Sequence, residues 1–186
     1  MYNLPRQFTS PAHLTVVITT YPPHYHLLQL ALASIDYANT NVIVVNDSNE
    51  HKIEVSGDNV TVINREAPEK WGTGDARNVG WRSAKTDLVL FLDGDDILFP
   101  HAIENMHWYY KKMLAETGED HIIYGNLIRT DMNTVKVTKP QYRGTDVKLS
   151  PVNVEHSHMP YLCLIPVKHL IATNGYPNEA EAFTWE

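Results

Sequence analysis

Three short apolar runs that each break off into polar or acidic residues constrain this chain more than any other feature. They are LTVVITT at 14–20, VIVV at 42–45 and LVLFL at 88–92, and they alternate with stretches of helical spacing. β-rich runs that alternate with helices are the pattern of an α/β domain built on a mainly parallel sheet flanked by helices. In an open sheet of that kind, ligands bind beyond the carboxyl ends of the strands. Here those ends are Thr19-Thr20-Tyr21, Asn46-Asp47-Ser48 and the acidic cluster from Asp93 to Asp96. Three such ends on one chain predict one shared pocket.

The remaining pattern fills in the layers. Pro22 and Pro23 stop the first strand, and Leu27, Leu30, Ala31, Ser34 and Ile35 give a helix over 24–36 its spacing. VTVI at 60–63 reads as a short strand, and residues 73–85 as a helix with Thr73 as its N-cap. Pro100 suits the first turn of a helix that reaches about residue 116. A small antiparallel part follows, with 121–128 pairing with 134–137 through the turn Asp131-Met132-Asn133. YLCLI at 161–165 is a strand, and a helix over 166–172 is closed by Asn174-Gly175. The 186 residues suffice for one domain with a real core, and no internal repeat divides them.

Composition excludes several classes of function. Fifteen Lys+Arg against 22 Asp+Glu give a net charge of −7, which speaks against a nucleic-acid binder that must neutralise phosphates with basic side chains. A small phosphorylated ligand is still allowed, because a metal and backbone amides can hold it. Cys163 is the only cysteine, so no intrachain disulfide forms, and YLCLIP reads as a buried strand thiol. No apolar run is long enough to cross a bilayer and no signal pattern opens the chain. A cytoplasmic location, at most peripheral to a membrane, is the expectation.

Three elements carry chemistry. In FLDGDD, three carboxylates within four positions repel one another unless a cation or solvent sits among them. Asp93 and Asp95, two apart around Gly94, can turn toward one point, and such hard oxygen donors suit Mg²⁺ or Mn²⁺ beside a diphosphate. Taken alone, the run reads equally well as a solvated loop, with Asp96 capping the helix near Pro100. In GTGDARNVGWRSAKTD a helix starts after glycines and carries Arg77 one turn in, near where phosphate oxygens would lie. Asp75 offers Arg77 an alternative, a surface ion pair. Asp47 is placed to accept from a nucleobase N–H and Tyr21 to stack on its ring, although each is also an ordinary turn residue.

The order VVITTYPP, VIVVNDS, GTGDARNVG, LVLFLDGDD resembles the inverting GT-A glycosyltransferases called family 2. That family shows a first strand ending in Thr or Ser with Tyr or His, a V-D-D-x-S turn, a G-x-x-x-A-R-N-x-G helix and an L-D-x-D-D strand end. The resemblance is close over about 14–100, a nucleotide-sugar-binding half. It is looser over 101–186, an acceptor-side half, where NGYPNEAEAFTWE looks like a G-G-Y/F-D-E segment leading to an acidic pair. It implies a single GT-A domain over 1–186. It also implies a sugar carried on a nucleoside diphosphate, a UDP-sugar foremost, and transferred by a single displacement to the hydroxyl of a saccharide, lipid-linked or other acceptor. Thr19, Tyr21, Asp47, Arg77 and Asp93 would line the donor, with Asp93 and Asp95 on Mn²⁺ or Mg²⁺.

Two departures stand out. Asn46 replaces the first Asp of the family's Asp-Asp turn, and the chain stops at Trp185-Glu186 where family members continue with an Asp that serves as base. Glu186 is therefore either the catalytic base itself or a neighbour of a base cut off by truncation. His158, with His156 beside it, stands where such enzymes sometimes supply a third metal ligand, but polar loop histidines are the plainer reading. His24, His26, His101 and His107 read as helix-surface residues. Two rivals are a domain that binds nucleotide sugar without turnover and a sugar-phosphate nucleotidylyltransferase. The latter needs a Gly-rich, basic loop after the first strand, where TTYPPHYH stands.

Overall fold

A computed structural model describes residues 13–36, 38–66, 72–125, 129–130, 135–136 and 162–176. Its centre is a six-stranded sheet in the order β3-β2-β1-β4-β8-β5. The strands are β1 (Leu14–Thr20), β2 (Thr40–Asn46), β3 (Val60–Asn64), β4 (Leu88–Asp93), β5 (Ile123–Tyr124) and β8 (Cys163–Pro166). Strands β3, β2, β1 and β4 are mutually parallel, while β8 runs antiparallel to both β4 and β5. Helices α1 (Tyr25–Ala33), α2 (Gly72–Ser83), α3 (Ala102–Thr117) and α4 (Val167–Ala172) complete the layers. This is the mainly parallel sheet with an antiparallel C-terminal part that the sequence predicts.

The continuous apolar character of the runs has a direct cause. A strand covered by helices on both faces needs apolar residues at successive positions, not at alternate ones. On one face Leu14, Val16 and Ile18 of β1 join Val42, Val44, Leu90 and Leu92, and α1 and α3 cover them with Leu28, Leu32 and Ile103. On the other, Val17, Ile43, Val45, Val89 and Phe91 meet Ala76 and Trp81 of α2 and Leu170 of α4.

The close approach of α2 to β1 is made at Gly80, where an added Cβ would lie 2.2 Å from a γ-methyl of buried Val17. A branched side chain fixed in a central strand cannot swing aside. Gly80→Ala is expected to lower stability by about 2 kcal/mol, although alanine favours helix by up to about 1 kcal/mol. Urea denaturation at fixed pH checks this, and an equal or raised midpoint would contradict it.

The structure corrects the local reading at five places. The buried stripe of α1 is Leu28, Ala31 and Leu32, continued by Ile35 just past its end, and Leu30 is 40% exposed, so the helix is rotated from the expected phase. A 3-10 turn over Pro22–His24 precedes α1. Thr73 is not the N-cap of α2, because the helix already begins at Gly72, whose amide donates to the Asp47 carboxylate at 2.9 Å. Helix α3 begins at Ala102, and the preceding His101 amide donates to Asp36, not to Asp96. The expected antiparallel partner of 134–137 also changes. Strand β5 belongs to the main sheet, and β7 (Val135–Lys136) pairs instead with β6 (Arg129–Thr130). Finally, His107 is not on the surface: it is 4% exposed against the His13 ring, and burial together with Lys111 pushes its pKa down to about 4.

Candidate functional site

Parallel pairing brings the carboxyl ends of β3, β2, β1 and β4 to one edge, and register does the rest. Thr19 stands opposite Asp93, Thr20 opposite Asn46, and Asn46 opposite Asn64, so one polar row crosses four strands. Each member has a separate task.

Asn46 is fully buried and uses its amide completely. Its Nδ2 donates to the His51 carbonyl at 2.6 Å and to Asn64 Oδ1 at 2.8 Å, and its Oδ1 accepts from the Tyr25 hydroxyl at 2.5 Å. Asn64 is fixed in turn by paired bonds to the backbone of Ile53. An aspartate has no N–H to make the two donor bonds, so this network requires the amide at position 46.

Asp47 follows at the tip of β2. Its side chain is 8% exposed and its Oδ1 lies 3.2 Å from Nε of the equally buried Arg65. The other oxygen accepts from the Gly72 amide at 2.9 Å. The carboxylate thus tethers the start of α2 to the sheet, where negative charge also suits the helix dipole.

Arg77, one turn into α2, ignores Asp75 and reaches across to Asp93, with Nη2 2.7 Å from Oδ1. Thr19 Oγ1 donates to the same oxygen at 3.3 Å. The aromatic ring of Tyr176 lies 5.4 Å from the guanidinium, and Asn78 fixes Tyr176 by accepting its amide and donating to its carbonyl. Burial opposes the charge on Arg77, but Asp93 and its other neighbours outweigh that and hold the pKa above its usual value. A permanent, well-anchored cation therefore stands at the strand ends, and its Nε has no acceptor among the described residues.

The acidic turn is shaped by Gly94. Its amide donates to the Thr19 carbonyl at 2.9 Å, and an added Cβ would meet that carbonyl at 3.0 Å and Thr20 Cβ at 2.8 Å. Only glycine lets the turn press this closely on β1. The turn leaves Asp93 with Arg77 and brings Asp95, 39% exposed, to the β1–α1 connection, where its Oδ2 lies 3.2 Å from His24 Nδ1. Asp96 is half-buried behind them. Burial first, then the charges of Asp93 and Asp95, raises its pKa to about 6. The site thus holds more negative charge than Arg77 can offset, which is the setting a divalent cation with hard oxygen ligands fits. No group of three metal-ligating side chains occurs among the described residues, so a cation here would take its remaining ligands from water and phosphate.

Tyr21, 41% exposed, stands at the end of β1 with its ring centroid 4.5 Å from that of His24. Thr19, Tyr21, Arg77, Asp93 and Asp95 therefore share one edge of the sheet with Asp47. His158 and Glu186 lie outside the described residues. Cys163 is 1% exposed, and burial pushes its thiol up to about 11, so it is an inert strand residue. Four residues of the site escaped the sequence reading: His24, Arg65, Asn78 and Tyr176. For His24 one signal was present, since a residue three after Tyr21 behind two prolines must lie near the strand end.

The profile of glycosyl transferase family 2 matches residues 15–162. The succinoglycan biosynthesis protein ExoW of Rhizobium meliloti is 36% identical over a stretch covering 61% of this chain and 40% of that protein. An uncharacterised glycosyltransferase of Haemophilus influenzae is 32% identical over 50% of this chain and 33% of its own length. The chain thus spans less than half of these curated relatives. Among solved structures, S. aureus TarS 1–349 in complex with UDP-GlcNAc superposes with a TM-score of 0.61 at 20% identity, covering 89% of this chain and 49% of that one. The mannosyltransferase PcManGT of Pyrobaculum calidifontis, in complex with GDP-Man and Mn²⁺, gives 0.55 at 16% identity, covering 94% and 50%. At these identities the likeness is one of fold. No helix among the described residues is long and apolar enough to cross a membrane.

Proposed function

Since this chain belongs to glycosyl transferase family 2, we propose that it transfers a sugar from a nucleoside diphosphate, a UDP-sugar foremost, to an acceptor hydroxyl with inversion. The observation that carries the proposal is the convergence of Arg77, Asp93 and Asp95 at the carboxyl ends of β1 and β4. The ligands of TarS and PcManGT, UDP-GlcNAc and GDP-Man, support the donor class.

In this reading Tyr21 stacks on the nucleobase and Asp47, held at the tip of β2 by Arg65 and Gly72, accepts from its N–H. Arg77 meets the diphosphate, and Asp93 orients Arg77 while contacting the ribose or the cation. Asp93 and Asp95 would hold Mn²⁺ or Mg²⁺, which when bound supplies charge stabilisation for the departing diphosphate. The base that takes the proton from the acceptor oxygen as it attacks the anomeric carbon is assigned to Glu186, with His158 a further candidate ligand of the cation. Holding both substrates in line supplies much of the rate.

Calorimetric titration with UDP, with and without Mn²⁺, run beside a transfer assay over a panel of UDP-sugars, tests the proposal. Mn²⁺-dependent binding with turnover is expected. Binding without turnover favours a donor-binding domain instead, and no affinity for any nucleoside diphosphate overturns the reading.

A further inference from the structure

We infer that His24 is a positioning residue of the donor site, which couples the aromatic platform at Tyr21 to the carboxylate of Asp95. The inference rests on the reading of Asp95 as a metal ligand. It begins with the backbone. Strand β1 ends at Thr20, and Pro22 and Pro23 then fix the chain in a 3-10 turn, closed by the His24 amide on the Tyr21 carbonyl at 2.9 Å. Two prolines leave this turn little freedom to lose on folding, so His24 is delivered to one place.

From the other side, the Gly94 amide pins the acidic turn to the Thr19 carbonyl, which brings Asp95 to the same turn. His24 Nδ1 and Asp95 Oδ2 then meet at 3.2 Å, with His24 29% and Asp95 39% exposed. A carboxylate only accepts, so Nδ1 is the donor. That bond occupies one oxygen and orients the other. The imidazole also lies against the Tyr21 ring, with centroids 4.5 Å apart at 40°. One side chain thus braces the two groups assigned to opposite ends of the donor. Partners that orient a ligating group commonly contribute about 10–100-fold in metal affinity.

The test measures free Mn²⁺ by electron paramagnetic resonance during titration of the chain with saturating UDP, and separately the affinity for UDP without metal. His24→Ala is expected to weaken Mn²⁺ binding about tenfold or more, with thermal melting close to that of the parent. His24→Asn carries an amide N–H near the position of Nδ1 but no ring. It should restore Mn²⁺ affinity to within a few fold of the parent, whereas metal-free UDP affinity, which the ring supports through Tyr21, is expected to fall below the parent's in both variants. Asp95→Asn is the control for the site itself. If His24→Ala binds Mn²⁺ like the parent while Asp95→Asn does not, the role of His24 is overturned and the site stands. An Asn variant as weak as the Ala variant also overturns positioning through Nδ1. A parent chain with no Mn²⁺ affinity overturns both readings.

Discussion

Asp95→Asn is expected to abolish the Mn²⁺-dependent part of UDP binding and to lower sugar transfer by about 10²–10⁴-fold, the scale of losing several kcal/mol of charge stabilisation at a departing diphosphate. The fold should survive unchanged. Asp95 is more than a third exposed, fills no core position and has the part-exposed His24 as its hydrogen-bond partner, so its removal leaves no buried charge behind. Melting within about 2 °C of the parent corresponds to less than about 1 kcal/mol for a chain of this size. Asp93→Asn is the informative contrast. Its carboxylate neutralises Arg77, whose side chain is only 11% exposed, and stripping a buried cation of its partner costs about 3–5 kcal/mol. Equal loss of binding in the two variants, with loss of stability in Asp93→Asn alone, is the expected pattern. Undiminished Mn²⁺-dependent affinity in Asp95→Asn would remove the metal assignment.

Asn46→Asp, which reinstates the acidic residue of the family turn, is expected to destabilise the chain by about 3–5 kcal/mol. The position is completely buried, and two acceptors, the His51 carbonyl and Asn64 Oδ1, face the amide nitrogen at 2.6 and 2.8 Å. A carboxylate oxygen there meets oxygen on both sides. Asn64 cannot turn its amide to help without breaking its paired bonds to Ile53. If the new carboxyl protonates instead, its single O–H satisfies one acceptor and strands the other.

The pH dependence gives the sign. Burial raises the folded pKa of the new acid above its unfolded value of about 4. The folded state then binds more protons, so the variant loses stability as pH rises through that pKa, and its deficit against the parent should be smaller at pH 5 than at pH 8. Paired thermal melts of parent and variant at the two pH values check both statements. A drop of roughly 6–20 °C near pH 8 is expected. A variant as stable as the parent would show that the Asn46 network is dispensable.

These two residues separate what is written locally from what is not. The runs at 14–20, 42–45 and 88–92 are legible as strands because burial on both faces demands apolar residues at successive positions, and that demand is local. The helices are legible for the same reason, as are their order and the polar residues at three strand ends. The acidic turn could be placed at a strand end, and Arg77 one turn into a helix, from spacing alone.

Which polar groups meet could not be read that way. Arg77 had Asp75 within its own helix, yet it pairs with Asp93, 16 residues away, because parallel pairing brings the start of α2 beside the end of β4. The phase of α1 differs because Leu27, Leu28, Leu30 and Leu32 offer two stripes of nearly equal hydrophobicity, and packing of Leu28 and Leu32 against the sheet selects between them. The same Pro22–His24 turn carries His24 from an anticipated solvent face to Asp95. β5 joined the main sheet because β8, from a distant part of the chain, offers it a free edge. Periodicity and strand ends are properties of neighbouring residues, so the sequence alone determined the layers and the edge on which the site lies. Partner choice depends on register between strands and on helix rotation, which are settled only when the two apolar faces close on the sheet, and so the tertiary structure decided what each charge at that edge would hold.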